Sequence, residues 1–373
     1  KKFIKTADKK IVFYSEKNGF YKYYKNIIEE IIRRTNIVIH YITSDPEDEV
    51  FGMESDQFKP YYIGEHRMIV LMMKMETDIM VMTTPDLENF QLKRSYVQKD
   101  IEYIYVQHDV NSSNLTFHKD ALDHYDTIFT SGPKNKCEIA EREEKYGLPA
   151  KNLVEWGSSV IDNMTKAYEE MVREDGSEGK KDKTVLIAPS WQKDNILDSC
   201  IEGMLDELVK TPYHIIVRPH PQYVRHYEAR IDALAARYQE QGVTFQKDFS
   251  SNKTVYTADI LVTDWSSIAF EYAFATLKPV LFIDTPMKIT NPDYQELKTV
   301  PIDIELRSKV GISVQPDAVE DKIRDSVDKL LFDEQFSRDS LQKLKEEYIY
   351  HNGESGKVGA KYIIDKLVER SGK

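Results

Sequence analysis

Short, unbroken apolar runs alternate with longer amphipathic stretches along the chain. In the first half the runs are Ile11 to Tyr14, Ile37 to Ile42, Ile79 to Met82, Ile101 to Val106 and Thr127 to Thr130. In the second half they are Thr184 to Ala188, His214 to Val217, Ile260 to Thr263 and Val280 to Ile283. Many are apolar at consecutive positions, the pattern of strands buried on both faces of a parallel sheet. Between them, positions such as Tyr24, Ile27, Ile28, Ile31 and Ile32 recur at helical spacing. Alternating β and α units predict an α/β fold made of two doubly wound, Rossmann-like domains.

One segment interrupts this rhythm. Arg173 to Lys183 holds four basic and four acidic residues, two glycines and no apolar side chain. It reads as a solvated linker. The expected organisation is therefore a first domain over 1–172, a linker over 173–183 and a second domain over 184–373, charged and helical from Val319 onward. The length of 373 residues suits two domains with cores of their own.

Charge narrows the function. A net charge of −12 argues against a nucleic-acid partner held by bulk electrostatics, yet local basic groups can still hold a phosphate-bearing substrate. Two cysteines, Cys137 and Cys200, fit neither a zinc cluster nor a disulfide framework and are expected to be reduced in the cytoplasm. No apolar stretch is long enough to span a membrane. The chain starts Lys1-Lys2-Phe3 without Met or a signal-peptide pattern, so a tag or an N-terminal segment is expected to have been removed.

The candidate chemistry gathers where strands end. Ile260 to Thr263 runs into Asp264-Trp265-Ser266-Ser267 and then a helical pattern carrying Glu271. Serines at a helix start, next to free N–H groups and the positive dipole end, make an anion site. Neither serine has Glu or Gln three residues on, so no capping-box carboxylate competes for those N–H groups. His214 to Val217 runs into Arg218-Pro219-His220-Pro221. The prolines stop the strand and stiffen the turn, Arg218 offers a fork for phosphate oxygens, and His220 offers a proton or a hydrogen bond near neutral pH.

In the first half, Ile101 to Val106 delivers Gln107-His108-Asp109 to a strand end. Facing domains would set His108 and His220 on two sides of a cleft, as a general base and a charge stabiliser. Asp109 is a candidate to orient His108, although neighbours on a strand point to opposite faces. Weaker signals are Trp156-Gly157-Ser158, between a strand and a helix, and Ala188-Pro189-Ser190-Trp191 after the first strand of the second half. Walker A, G-x-G-x-x-G, G-x-S-x-G and H-E-x-x-H motifs are absent. No cofactor is indicated, no metal ligand set stands out, and the sequence decides neither divalent-metal dependence nor oligomeric state.

The succession APSW, VRPHP, ADILVTDWSSIAFEYA and KPVLFID resembles the CDP-glycerol:poly(glycerophosphate) glycerophosphotransferase family, most strongly over Thr184 to Asp284. The resemblance implies a GT-B-like fold and an enzyme that moves a polyol phosphate, glycerol or ribitol phosphate, from a CDP-polyol to a hydroxyl of a membrane-linked glycan or polyol-phosphate acceptor. CMP is released, in teichoic-acid-like or capsule synthesis. By the same resemblance His220 contacts the donor pyrophosphate, Ser266 and Ser267 cradle phosphate, and Glu271 lies near the ribose hydroxyls. Gly157-Ser158 corresponds to a glycine-serine segment closing the first domain, and His108 to the family's other histidine, the base. Arg218, Asp264 and Ser190 complete the expected donor side.

Two positions depart from the family pattern. Trp265 replaces a Tyr, and the family's W-H-G-T-P-x-K reads Val106-Gln107-His108-Asp109-Val110-Asn111-Ser112 here. The resemblance also implies peripheral attachment to the cytoplasmic face of the cell membrane. Phe20 to Lys25, with Lys22 and Lys25, mixes aromatic and basic residues as interfacial helices do. Met68 to Met75 is apolar and methionine-rich, and Lys93 and Arg94 add positive charge. The alternatives are a GT-B glycosyltransferase or an epimerase using a UDP-sugar, and a nucleotide-binding module without catalysis.

Overall fold

The computed structural model describes residues 2–6, 8–175 and 182–372. They divide into two compact units. The first takes the chain up to Asp162, together with Thr290–Pro301 and the stretch from Tyr348 onward; the second is Asn163–Ile289 with Ile302–Glu347.

The first unit is built on a seven-stranded parallel sheet. Its strands are β1 (Ile11–Ser15), β2 (Ile39–Thr43), β3 (Phe58–Tyr62), β4 (Ile79–Met82), β5 (Glu102–Val106), β6 (Thr127–Thr130) and β7 (Asn152–Glu155), in the order β3-β2-β1-β4-β5-β6-β7. Phe13 of the central β1 lies between Tyr41 of β2 and Val81 of β4. The consecutive apolar residues of β1 serve two cores. Ile11 and Phe13 face one, with Tyr24, Ile27, Ile28 and Ile31 of the helix Tyr21–Arg34. Val12 and Tyr14 face the other, with Leu71, Met72 and Met75. Most of the apolar face of the Met68 to Met75 stretch is thus used inside the protein.

The C-terminal helix Ser355–Ser371 belongs to this first unit, not to the second as its place in the chain predicts. Its Ala360, Ile363 and Leu367 enter the core beside the helix Tyr21–Arg34. The two helices come close because Gly359 has no side chain: a Cβ there would stand 2.8 Å from Ile27 Cγ1. Trp156 donates its indole N–H to Ser355 O at 2.8 Å. The segment Thr290–Pro301 joins the first unit through polar bonds. Asn291 donates to Asn114 O (2.9 Å), Asn114 donates to Tyr294 O (3.1 Å), and Lys119 meets Asp293 at 2.7 Å. Hydropathy shows that a helix needs an apolar partner but not which sheet supplies it, which is why the expected domain over 184–373 is too long.

The second unit holds a six-stranded parallel sheet. Its strands are β8 (Thr184–Ile187), β9 (His214–Val217), β10 (Thr244–Phe245), β11 (Ile260–Thr263), β12 (Val280–Ile283) and β13 (Gly311–Val314), ordered β10-β9-β8-β11-β12-β13. Alternate residues Val185, Ile187, Ile215, Val217, Ile260 and Val262 share one core with the helices Ile201–Leu208, Pro221–Tyr238 and Val319–Phe332. Strand succession runs one way through β8, β9 and β10, and the other way through β11, β12 and β13. Between β8 and β11 the order therefore reverses, the place where such sheets bind ligands. The predicted linker is only partly visible: residues 176–181 lie outside the described ones, and Arg173 to Asp175 end the helix Ser159–Asp175. The division between the units falls within that helix, after Asp162.

Candidate active site

In the second unit the residues after β8, β9 and β11 converge on the reversal point. The loop after β8 is fixed from β11. Asp264 is 1% exposed, and its carboxylate accepts the N–H groups of Ser190 (2.8 Å) and Ile196 (3.4 Å). Burial pushes its pKa above the ordinary aspartate value, against the hydrogen bonds from Ser190 and Ile196. Asp264 and Ser190, expected to touch the donor phosphate, are both buried and bonded to each other. A carboxylate turned inward onto backbone amides holds the loop and does not meet an anion.

Arg307, which no motif singles out, holds the turn after β11 from below. It donates to Asp264 O at 2.9 Å and pairs with Asp284. Its guanidinium lies 4.0 Å from the Trp265 ring centroid and 4.3 Å from that of Phe282. The Trp265 indole N–H donates to Thr285 O at 2.7 Å. This turn presents Ser266 and Ser267, both half-buried, at the start of the helix Ile268–Thr276. The expected side-chain cap is not made. Ser267 already has helical dihedrals (φ −58°, ψ −26°), outside the extended geometry that lets a serine oxygen reach the N–H groups of the first turn. Glu271 lies in that first turn and is half-buried.

After β9, Arg218 donates from Nη2 to Asn252 Oδ1 at 3.1 Å, while its buried Nη1 has no hydrogen-bond partner. Its charge lies 5.7 Å from the Phe249 ring centroid. Burial lowers its pKa, with Asp248 acting against the shift. A buried donor without an acceptor, at the strand edge where anions bind, suits an incoming oxyanion. His220 caps the helix Pro221–Tyr238: its Nδ1 accepts the Gln222 N–H at 3.1 Å. A nitrogen that accepts carries no proton, so the neutral ring carries its proton on Nε2. The cap thus makes His220 a donor and not a base.

In the first unit, His108 follows β5 and is partly exposed. Its Nδ1 lies 3.3 Å from the Tyr105 hydroxyl and its Nε2 3.7 Å from Asp109 Oδ2. Complete burial, with Asp109 nearby, pushes the Tyr105 pKa well above the usual phenol value, so that hydroxyl keeps its proton. Tyr23 and Phe117 flank the imidazole, with ring centroids at 5.4 and 6.0 Å. Strand alternation would turn Asp109 away from His108. Both residues lie beyond the strand's last residue, Val106, so the alternation does not apply.

Gly157 and Ser158 take a different role from the expected donor contact. Gly157 has φ +104°, and a Cβ there would stand 2.4 Å from Tyr350 O, so the position requires glycine for a close approach of backbone. Ser158 is 3% exposed and its Oγ accepts the Ile161 N–H at 3.3 Å, within the start of the next helix. Both are occupied in packing the first unit. Of the basic candidates, Arg94 is turned inward, with a two-pronged pair to Asp126 (2.9 and 3.1 Å) and its guanidinium 4.3 Å from the Tyr103 ring centroid. Lys93 donates to Glu88 O. Lys22 lies 4.9 Å from the Tyr23 ring centroid and Lys25 stands 3.9 Å from Glu29. Among the described residues, no group of three or more His, Cys, Asp or Glu is placed to hold a metal.

Two parallel α/β sheets, with polar residues collected beyond the strand ends, are the architecture of the GT-B class. Solved structures of that kind match the chain along its length. A histidine-to-asparagine variant of the wall teichoic acid polymerase TagF, soaked with CDPG, aligns at TM-score 0.61 and 15% identity, over 97% of this chain and 90% of that one. The Methanocaldococcus jannaschii UDP-GlcNAc 2-epimerase, in complex with UDP-GlcNAc and UDP, aligns at TM-score 0.63 and 16% identity, over 96% and 99%. A glycosyltransferase from Rickettsia africae aligns at TM-score 0.55 and 8% identity, over 98% and 99%. Identities this low speak for the fold alone. No curated protein matches at the sequence level. The family model for CDP-glycerol:poly(glycerophosphate) glycerophosphotransferase matches residues 2–305, and the chain belongs to that family. It is accordingly an enzyme, a glycerophosphotransferase that draws on CDP-glycerol.

Proposed function

We propose that the enzyme transfers a polyol phosphate from its CDP-activated donor to a hydroxyl of a membrane-linked glycan or polyol-phosphate acceptor, in teichoic-acid-like or capsule synthesis. The acceptor oxygen forms a bond to the β-phosphorus, the bond from that phosphorus to the bridging oxygen breaks, and CMP leaves. His108 takes the acceptor proton. Arg218, the His220 Nε2–H and the start of the helix Ile268–Thr276 with Ser266 and Ser267 receive the phosphates, and Glu271 serves the ribose. The observation that carries this reading is the unpartnered Nη1 of Arg218 beside the His220 cap, both at the end of β9. A UDP-sugar enzyme is the second reading, favoured by the likeness in fold to the epimerase. Incubation with CDP-glycerol, CDP-ribitol and UDP-GlcNAc separates the two. The expected product is CMP, in acceptor-dependent amounts; UDP release without CMP would establish the sugar-nucleotide reading instead.

The acceptor side of this proposal includes contact with the cytoplasmic face of the membrane. No helix among the described residues is long and apolar enough to cross one. With Arg94 turned inward, a surface at the helix Glu65–Met73 combines apolar and basic groups. There a cavity of ≈ 820 Å³ is lined by Ile4, Tyr62 and Val70 together with Arg67 and Lys74. Ile4, Tyr62 and Val70 are 70%, 51% and 56% exposed. Each basic residue near an anionic surface contributes about 1 kcal/mol, so replacing Arg67 and Lys74 with serine is expected to weaken sedimentation with anionic liposomes by about tenfold or more. Turnover of soluble donor is expected to be unchanged. Equal sedimentation of parent and variant would reject this surface.

A further inference from the structure

The first unit has a reversal point of its own. Strand succession runs one way through β1, β2 and β3 and the other way through β4, β5, β6 and β7, so the order turns between β1 and β4. At the carboxyl ends of these strands lies a cavity of ≈ 620 Å³, in the place where such sheets bind ligands. Glu16 and Ser44 follow β1 and β2, and Thr84, Asp86, Phe90 and Gln91 come from the loop after β4. That loop is tied down along its backbone. The Asp86 N–H donates to Ala121 O and the Glu88 N–H to Leu92 O, both at 2.8 Å, and the Tyr125 hydroxyl donates to Thr84 O. Leu87, between them, is fully buried. Asp86 and Glu88 nevertheless hold left-handed backbone, with φ +66° and +72°. Outside glycine such conformations cost energy, and they collect at ligand sites.

We propose that this cavity holds an uncharged, hydroxyl-bearing sugar unit of the acceptor, with Asp86 bonding its hydroxyls and Phe90 packing on its apolar face. The charge of the lining selects that class. It includes two carboxylates, Glu16 and Asp86, and among the described lining residues no Lys, Arg or His, so a phosphate would enter against like charge. Sugar hydroxyls instead donate to carboxylates and exchange hydrogen bonds with groups such as the Gln91 amide and the Thr84 hydroxyl. Capacity for such bonds is unused: Thr84 Oγ1 and Asp86 Oδ1 are buried and have no hydrogen-bond partner. Burial pushes the Asp86 pKa up, with His118 and Asn89 acting against the shift. Phe90 is 60% exposed, its ring centroid 5.5 Å from that of His118. The cavity also neighbours the proposed base. Tyr125, bonded to Thr84 O, packs on Tyr105 with centroids 5.3 Å apart, and Tyr105 meets His108 Nδ1. Ser44 lines both this cavity and the apolar, basic one at the helix Glu65–Met73. A glycan reaching from a lipid at that surface towards His108 would place a sugar here. This inference rests on the transferase reading above and narrows its acceptor to one with a neutral receiving end.

The test compares two acceptors with the full chain: a lipid-linked disaccharide of N-acetylglucosamine, and the same disaccharide ending in glycerol phosphate. CMP release from CDP-glycerol is expected to have the lower KM for the neutral acceptor, by about tenfold or more. Asparagine tolerates left-handed backbone as aspartate does, so Asp86→Asn keeps the loop. It is expected to raise the KM for the neutral acceptor about ten- to a hundredfold, and Phe90→Ala about three- to tenfold. In both, kcat changes less than KM, and CDP-glycerol affinity by calorimetry stays within about twofold. For the charged acceptor, Asp86→Asn is expected to leave KM equal or lower. A parent that prefers the charged acceptor, or an Asp86→Asn variant that loses both acceptors alike, would overturn the proposal. Saturation-transfer NMR reads the same site without turnover, with the methyl glycosides of N-acetylglucosamine, glucose, galactose and mannose as probes. At least one is expected to take up saturation on its ring protons in the parent and to lose it in Phe90→Ala and Asp86→Asn. Saturation of none, or its survival in both variants, would reject a sugar site. Should the parent release no CMP with either acceptor, the transferase reading fails, and the NMR arm still decides on the cavity.

Discussion

Replacing His108 with alanine is expected to lower transfer by about 10²–10⁴-fold, the range a positioned general base contributes. An acceptor hydroxyl is a weak nucleophile until its proton is removed, and His108 is the partly exposed imidazole at the end of β5. Its ring is framed by Tyr105, which burial keeps protonated, and by the Asp109 carboxylate 3.7 Å from Nε2. The groups proposed to receive the donor phosphates belong to the other unit of the chain, so CDP affinity is expected to stay within a few-fold of the parent. Calorimetry with CDP-glycerol alongside an acceptor-dependent CMP assay makes the comparison. Loss of donor affinity in step with loss of rate would move His108 from the acceptor to the pyrophosphate.

A paired substitution at His220 is expected to separate two jobs of one ring. His220→Ala removes both the cap and the Nε2–H. It is expected to cost about 1 kcal/mol of stability and about 100-fold or more in kcat. Asparagine is itself a good N-cap, and its side-chain oxygen can take the Gln222 N–H that Nδ1 now accepts. His220→Asn is therefore expected to unfold at nearly the parent temperature while losing rate as the alanine variant does. Thermal unfolding and steady-state rates of the two variants decide. If asparagine restored activity, the Nε2–H would have no part in the reaction.

Some of this was legible without coordinates, for definite physical reasons. The buried strands β1, β8 and β11 are consecutive apolar residues, and burial on both faces writes itself into sequence. The edges do not. β3 contains Pro60, β10 has only two residues, and β13 opens on Gly311. At the site, Arg218 and His220 announce themselves through the prolines that follow the strand. Arg307 does not, because its bond to Asp264 O joins residues 43 positions apart. Asp264 misleads for a related reason: an aspartate after a strand looks the same whether it faces a ligand or the amides of its own fold. Gly157 and Ser158 mislead likewise, since the backbone they accommodate arrives from Tyr350.

The path of the chain through the first unit has a bearing on synthesis. The strands of that unit are all translated early, yet the surface of its core beside the helix Tyr21–Arg34 is covered by Ala360, Ile363 and Leu367 of the last helix. Until those residues leave the ribosome, Trp156 has no Ser355 carbonyl to meet and the apolar flank of the sheet stands open. The core beside the helix Tyr21–Arg34 is thus completed only after the helix Ser355–Ser371 is made, unlike that of a domain formed by one continuous segment. The second unit, translated after the early strands and before the final helix, is the first that can be completed. A chain that stops before the helix Ser355–Ser371 is expected to leave this face of the first unit's core uncovered.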